Sequence, residues 1–208
     1  MAIESPHDNI YAAQLVGGLW AATYSANGPR PATLEYKHFP GLFDPAWLAS
    51  LPLPIGEQLP DSQSIALGGE GLSFERPASS ENLRQAYADQ PRTRIYESID
   101  ARSGGWPAVA TRHLMKLADC RVTCTMYESS RDDETLGAHT DKWYGAVVQV
   151  LGAKAWRLGQ DTENSQEDPT LITKAGDLLL LPTGLRHDVT TPEYSVHLGF
   201  AMITDESA

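Results

Sequence analysis

The stretch His139-Thr-Asp141, followed by Gly145-Ala-Val-Val-Gln-Val-Leu-Gly-Ala-Lys-Ala-Trp-Arg-Leu158 and Ala175-Gly-Asp-Leu-Leu-Leu-Leu-Pro-Thr-Gly-Leu-Arg-His187, decides how this chain folds. Two β-rich runs flank Leu151-Gly152-Ala153, a spacing that predicts a hairpin. The second segment reads as a Gly-Asp turn, an apolar strand, a Pro-Thr-Gly break and a histidine. Residues two apart on a strand point to one side, so His139 and Asp141 can share an ion while Thr140 turns away. His187 can then arrive on a distant strand brought close by a barrel. Two histidines and one carboxylate occupy one face of an octahedral iron and leave three positions open for a cosubstrate and dioxygen.

A His-x-Asp triplet arises by chance about 0.4 times in a chain of this composition, so the surrounding pattern has to carry the reading. Residues from about Val122 to Met202 resemble the JmjC and cupin-type family of iron(II)- and 2-oxoglutarate-dependent oxygenases. The matching pieces are His139-Thr-Asp141, Gly152-Ala-Lys154-Ala-Trp-Arg, Gly176-Asp177 with Leu181-Pro182-Thr-Gly184-Leu-Arg-His187, and Ser195-Val-His-Leu-Gly-Phe200. The resemblance implies a mainly β fold with flanking helices, a double-stranded β-helix of cupin or jelly-roll type. It implies Fe(II) on His139, Asp141 and His187, with 2-oxoglutarate as cosubstrate and O2 as oxidant. Lys154 stands where the family places the base for the distal carboxylate, 13 positions after the ligand aspartate. Ser195, eight residues after His187, stands where the family's bacterial ribosomal-protein hydroxylases place a cosubstrate-contacting serine. Such an enzyme would hydroxylate an unactivated C–H bond and release succinate and CO2.

Only 13 residues follow Ser195, so the C-terminal dimerisation and winged-helix parts of larger family members are expected to be absent. That turns the expected substrate toward an amino acid, a peptide or a peptide-derived natural product. Two other classes stay open: a metal-dependent cupin dioxygenase or isomerase that does not use 2-oxoglutarate, and a noncatalytic ligand-binding cupin. Sequence leaves oligomeric state, and hydroxylation against desaturation or cyclisation, undecided.

With 208 residues and 41% hydrophobic content, the chain can bury one substantial core. The expected organisation is a single domain over 1–208, with residues 1–121 as a helical flank bracing barrel strands in 122–203. No apolar run approaches a membrane span, and Met1-Ala-Ile-Glu-Ser-Pro lacks the basic and hydrophobic regions of a signal peptide, so a cytoplasmic location is expected. Cys120 and Cys124 are too few for a disulfide framework and read as reduced thiols. The net charge of −11 argues against nonspecific nucleic-acid binding, which needs Lys and Arg to displace phosphate counterions. Arg92, Arg94, Arg102 and Arg112 form a loose enrichment that reads as solvated surface.

The first 30 or so residues begin with polar and small side chains, and Asn27-Gly-Pro-Arg-Pro31 reads as a loop closing that stretch. Asp44-Pro45-Ala-Trp47-Leu48 combines an N-cap with proline at the first helical position, and Leu51-Pro-Leu-Pro54 ends that short helix. Ser80–Tyr87 and Trp106–Leu117 are further helix candidates. In the last strand Ser195, His197, Gly199 and Ala201 share one face, expected to line the pocket, while Val196, Leu198, Phe200 and Met202 share the face expected to meet the helices. Tyr127, Trp143 and Tyr144 are candidates for shaping a substrate pocket. His197 reads as a hydrogen-bonded wall residue, and His7, His38 and His113 carry no assigned role.

Overall fold

The computed structural model describes residues 6–25, 36–55, 65–102, 105–159 and 170–204. Its first half runs α1 (Pro6–Ser25), β1 (Lys37–Phe39), α2 (Pro45–Ala49), β2 (Ile65–Gly69), β3 (Ser73–Glu75), α3 (Ser80–Asp89), β4 (Thr93–Tyr96), α4 (Ile99–Arg102) and α5 (Gly105–Ala118). Three of these helices were legible in sequence. Asp44 caps α2 through its carboxylate, which accepts from the Ala46 amide at 2.8 Å. Ser79 caps α3 in the same way, and α5 covers the expected Trp106–Leu117. The 20-residue α1 was not legible. It buries Ala12, Leu15, Val16, Leu19, Ala22 and Thr23 at helical spacing, but Gly17 and Gly18 interrupt that signal. A side chain at Gly18 would strike the Phe43 ring at 2.4 Å, so the gap in the pattern is where another element presses in. The loop read at Asn27–Pro31 lies outside the described residues.

From Arg121 the chain is strands: β5 (Arg121–Ser129), β6 (His139–Thr140), β7 (Tyr144–Leu151), β8 (Ala153–Gly159), β9 (Thr170–Lys174), β10 (Leu178–Leu181), β11 (Arg186–Thr190) and β12 (Ser195–Ile203). They switch between two antiparallel sheets at every connection except β8 to β9, one sheet containing the order β10-β7-β12-β5 and the other β6-β11-β8-β9. This is the expected double-stranded β-helix. The N-terminal flank does more than brace it with helices. It adds β1 at one edge and β4, β2 and β3 at the other, making the larger sheet eight-stranded.

The expected hairpin at Gly152 is a correction. β7 pairs with β10 and β12, whereas β8 pairs with β11 and β9, so the chain crosses between sheets at this turn. A period-2 pattern reports strands but not their partners. Gly152 has φ +61°, and a Cβ there would lie 1.8 Å from the Tyr194 carbonyl oxygen. Gly152→Ala is therefore expected to destabilise the fold by about 2–4 kcal/mol, from left-handed strain and overpacking together. An unchanged urea midpoint would show that the crossover does not need this approach.

The helix-facing side of the last strand behaves as its alternation predicts. Val196, Leu198, Phe200 and Met202 are buried in one core with α1 and α5 residues such as Leu15, Leu19 and Leu114. Cys124 is buried in that core, where loss of solvation holds its thiol well above its usual pKa; Cys120 is part-buried, and neither forms a disulfide. Arg92 and Arg94 are not solvated surface. Arg92 pairs with Glu75 and Arg94 with Glu128, both guanidinium side chains being mostly buried, whereas Arg102 and Arg112 are exposed, as expected. His38, on β1, donates from Nε2 to Asp177 Oδ2 at 2.9 Å, and the same carboxylate accepts from the Gly41 and Lys174 amides. These bonds hold Asp177 below the usual carboxylate range despite its burial. The Gly-Asp turn is thus a bracket that ties β1 to β10. No described helix is long and apolar enough to cross a membrane.

Candidate active site

β6 and β11 lie antiparallel with His139 directly opposite His187. Their rings meet edge-on at 4.3 Å between centroids, and His187 Nε2 lies 3.8 Å from Asp141 Oδ2. One ligand atom from each of His139, Asp141 and His187 falls within 4.8 Å of the others. Turns set this geometry. The Leu185 amide donates to the Pro182 carbonyl at 3.2 Å, and Gly184 supplies φ +80°, which a side chain would resist. The Gly184 amide in turn donates to the Asp141 carbonyl at 2.9 Å, locking the turn before His187 to the His-x-Asp segment.

The tautomers follow from the hydrogen bonds. His139 Nδ1 donates to the Gly137 carbonyl at 2.8 Å and His187 Nδ1 to the Leu185 carbonyl at 3.0 Å, since a carbonyl only accepts. Each Nε2 therefore keeps its lone pair, as a metal requires. Burial pushes the His187 pKa down, favouring the neutral ligand form, and pushes Asp141 up against the opposing pull of both histidines. A divalent cation in the triad would reverse the second effect by stabilising the carboxylate.

The triad opens into a cavity of about 590 Å³ bounded by both sheets. At its inner end lies Lys154 on β8, only 2% exposed. Its ammonium donates to Ser129 Oγ at 2.9 Å and Thr191 Oγ1 at 2.6 Å, both neutral acceptors. Burial pushes its pKa down to about 8, with Asp133 opposing. His197 and Tyr127 stack with ring centroids 4.7 Å apart and planes 10° from parallel. His197 Nδ1 is buried without a partner, so the wall-histidine expectation holds for position and not for hydrogen bonding. Burial and the neighbouring Lys154 charge hold His197 well below its usual pKa.

The other expected residues divide. Tyr127 and Trp143 line the cavity. Tyr144 does not: it sits on the opposite face of β7, buried in the main core. Ser195 pairs across the strands with Ser129, so it reaches the inner end. Its hydroxyl, however, accepts from Gln149 Nε2 at 2.8 Å and forms no part of the cavity wall. Gln149 Oε1 accepts from Thr173, which accepts from Trp156 Nε1, so Ser195 belongs to a buried polar chain behind the wall. Ser129 and Thr191, which hold Lys154, went unread because no local pattern distinguishes a hydroxyl that meets its partner only after 25 and 37 residues of chain separation.

Residues 106–208 match the family model of the JmjC domain. The chain carries a JmjC domain. Among solved structures, the ribosomal oxygenase YcfD from Escherichia coli superposes with TM-score 0.58 at 17% identity, over 82% of this chain and 48% of that one. A second E. coli YcfD structure gives 0.59 at 15% identity, over 81% and 49%. A third, YcfD in complex with cobalt and 2-oxoglutarate, gives 0.55 at 17% identity, over 82% and 48%. The chain thus spans about half the length of these proteins, and the likeness establishes the fold. No curated protein matches the sequence.

The JmjC domain's own residues fit the metal and cosubstrate. Two imidazoles with free Nε2 atoms and a carboxylate are a donor set for iron(II). A buried ammonium whose hydrogen bonds among the described residues go to hydroxyls, with Asp133 acting on it only through space, has the chemistry to take up a carboxylate.

Proposed function

We infer that the chain is an iron(II)- and 2-oxoglutarate-dependent oxygenase that hydroxylates an unactivated C–H bond of an amino acid, peptide or peptide-derived product. The net reaction takes up O2 and yields the alcohol, succinate and CO2. Lys154 carries this reading. A cation buried with no carboxylate in contact among the described residues is costly, Asp133 offsets only part of that cost from a distance, and a dicarboxylate whose far end reached the ammonium would offset the rest.

His139, Asp141 and His187 would hold the metal on one side, and the carbonyls of Gly137 and Leu185 fix the rings that present it. Bound iron with 2-oxoglutarate supplies the oxidation of the C–H bond. The protein contributes orientation and exclusion of water. Lys154, aimed by Ser129 and Thr191, would anchor the distal carboxylate, and the Tyr127–His197 stack walls that end of the cavity.

The test is 2-oxoglutarate titration into anaerobic iron(II)-loaded protein, followed by its metal-to-cosubstrate charge-transfer band, together with succinate measurement in air. Saturable one-to-one binding is expected, and the affinity has a pH signature. The free ammonium loses its proton as pH rises through about 8, and only the charged form pairs with a carboxylate. Affinity should therefore be flat below roughly pH 7 and fall by up to about tenfold per pH unit above 8. Product formed in 2-oxoglutarate-free buffer would point to cupin chemistry without that cosubstrate.

A further inference from the structure

We propose that the outer end of the cavity binds the free carboxylate of the substrate between Arg121 and Lys142, so that the substrate is an N-acylated amino acid or short peptide with an apolar side chain; this rests on the oxygenase reading and gives it a substrate class. Five charged side chains line the cavity: Glu97, Arg121, Asp141, Lys142 and Lys154. Both acids are committed. Asp141 belongs to the metal triad. Glu97 is gripped through both oxygens by Arg76, at 3.0 Å from Nε and 2.6 Å from Nη2. Arg121 and Lys142 are exposed, and neither has a hydrogen-bond or ion-pair partner among the described residues. In a protein of net charge −11, this mouth is a local reversal of sign that draws anions to the cavity.

These cations cannot serve the cosubstrate once it is bound. The cavity face of β5 runs from Arg121 at the mouth to Ser129 beside Lys154, about 26 Å of extended strand. A five-carbon diacid is no longer than about two residues of extended chain. Held at Lys154 and the metal, it leaves the Arg121 end for another molecule.

Register brings the two cations together. β12 lies between β5 and β7, with Ile203 opposite Arg121 and Met202 opposite Tyr144. Lys142 precedes β7 at this same end, so the two backbones are separated by about two strand spacings, roughly 10 Å. Both side chains are long enough to converge on one carboxylate within that gap. The apolar share of the substrate follows from Leu72, Phe74 and Trp143. They line the cavity while 42%, 43% and 36% exposed, Trp143 directly beside Lys142 and Leu72 and Phe74 farther off at the β3 edge, an arrangement that leaves apolar area uncovered until something apolar fills it.

The test uses protein loaded with zinc, a redox-inactive stand-in, and saturated with 2-oxoglutarate. N-acetyl-leucine and N-acetyl-phenylalanine are titrated beside their neutral carboxamides by ligand-observed NMR. Each acid is expected to bind at least tenfold more tightly than its amide. The double variant Arg121→Gln/Lys142→Gln should abolish that difference while changing the 2-oxoglutarate Kd less than twofold. Acids and amides that behave alike, bound or unbound, would overturn the proposal. An equal loss of 2-oxoglutarate affinity would overturn it too, by assigning the cations to cosubstrate entry. If wild type binds no 2-oxoglutarate, the oxygenase reading falls and takes this one with it, whereas normal cosubstrate binding without an acid preference removes the substrate class alone.

Discussion

His139→Ala or Asp141→Ala is expected to abolish metal-dependent oxidation while the fold remains. Each removes one of three ligand atoms grouped within 4.8 Å, and the oxidative chemistry needs the metal. The fold should survive because neither side chain is part of either apolar core, and burial already disfavours the Asp141 carboxylate in the metal-free protein. Two readouts separate these effects. Metal-free Tm should shift by only a few degrees. The rise in stability that iron(II) or a surrogate gives wild type, about 2.7 kcal/mol at a hundred times Kd, should vanish in the variants. His187→Ala should behave similarly, with residual metal affinity through the other two ligands. Its ring is 4% exposed and packs beside Trp156, so it should cost somewhat more stability. Full turnover by either of the first two variants in metal-limited buffer would remove the triad from the chemistry.

Lys154→Ala is the second large effect. Removing one partner of a buried charge pair costs on the order of 2–5 kcal/mol, so 2-oxoglutarate should bind roughly 30-fold to several thousandfold more weakly. Metal affinity should change much less, because the lysine is outside the ligand group. Lys154→Met keeps the apolar stem and isolates the charge. Ser129→Ala and Thr191→Val, which remove the hydroxyls aiming the ammonium, should each cost only about 0.5–1.5 kcal/mol. Lys154→Arg is expected to retain partial function, limited by the different reach and fork geometry of the guanidinium. Equal cosubstrate affinity in wild type and Lys154→Ala, measured anaerobically by the charge-transfer band, would sink the anion-site assignment.

The sequence by itself determined what depends on short spacing and residue chemistry. The period-2 runs and the Pro-Thr-Gly break located β7, β8, β10 and β11, because alternation and turn residues report local backbone directly. Three helices announced themselves through caps and stripes. His139 and Asp141 could be paired from their separation alone, the break before His187 marked it as the third ligand, and the resemblance named Lys154. Tertiary structure decided the partners. It turned an apparent hairpin at Gly152 into a crossing between sheets, since the pattern along a strand does not say which strand lies beside it. It put Tyr144 in the core and Ser195 behind the wall, one on the far face of β7 and the other captured by Gln149. It also brought Ser129 and Thr191 to the Lys154 ammonium, and Arg121 and Lys142 to one mouth. Contacts across 25 to 46 residues are set by strand register and closure of the barrel, which no local window contains.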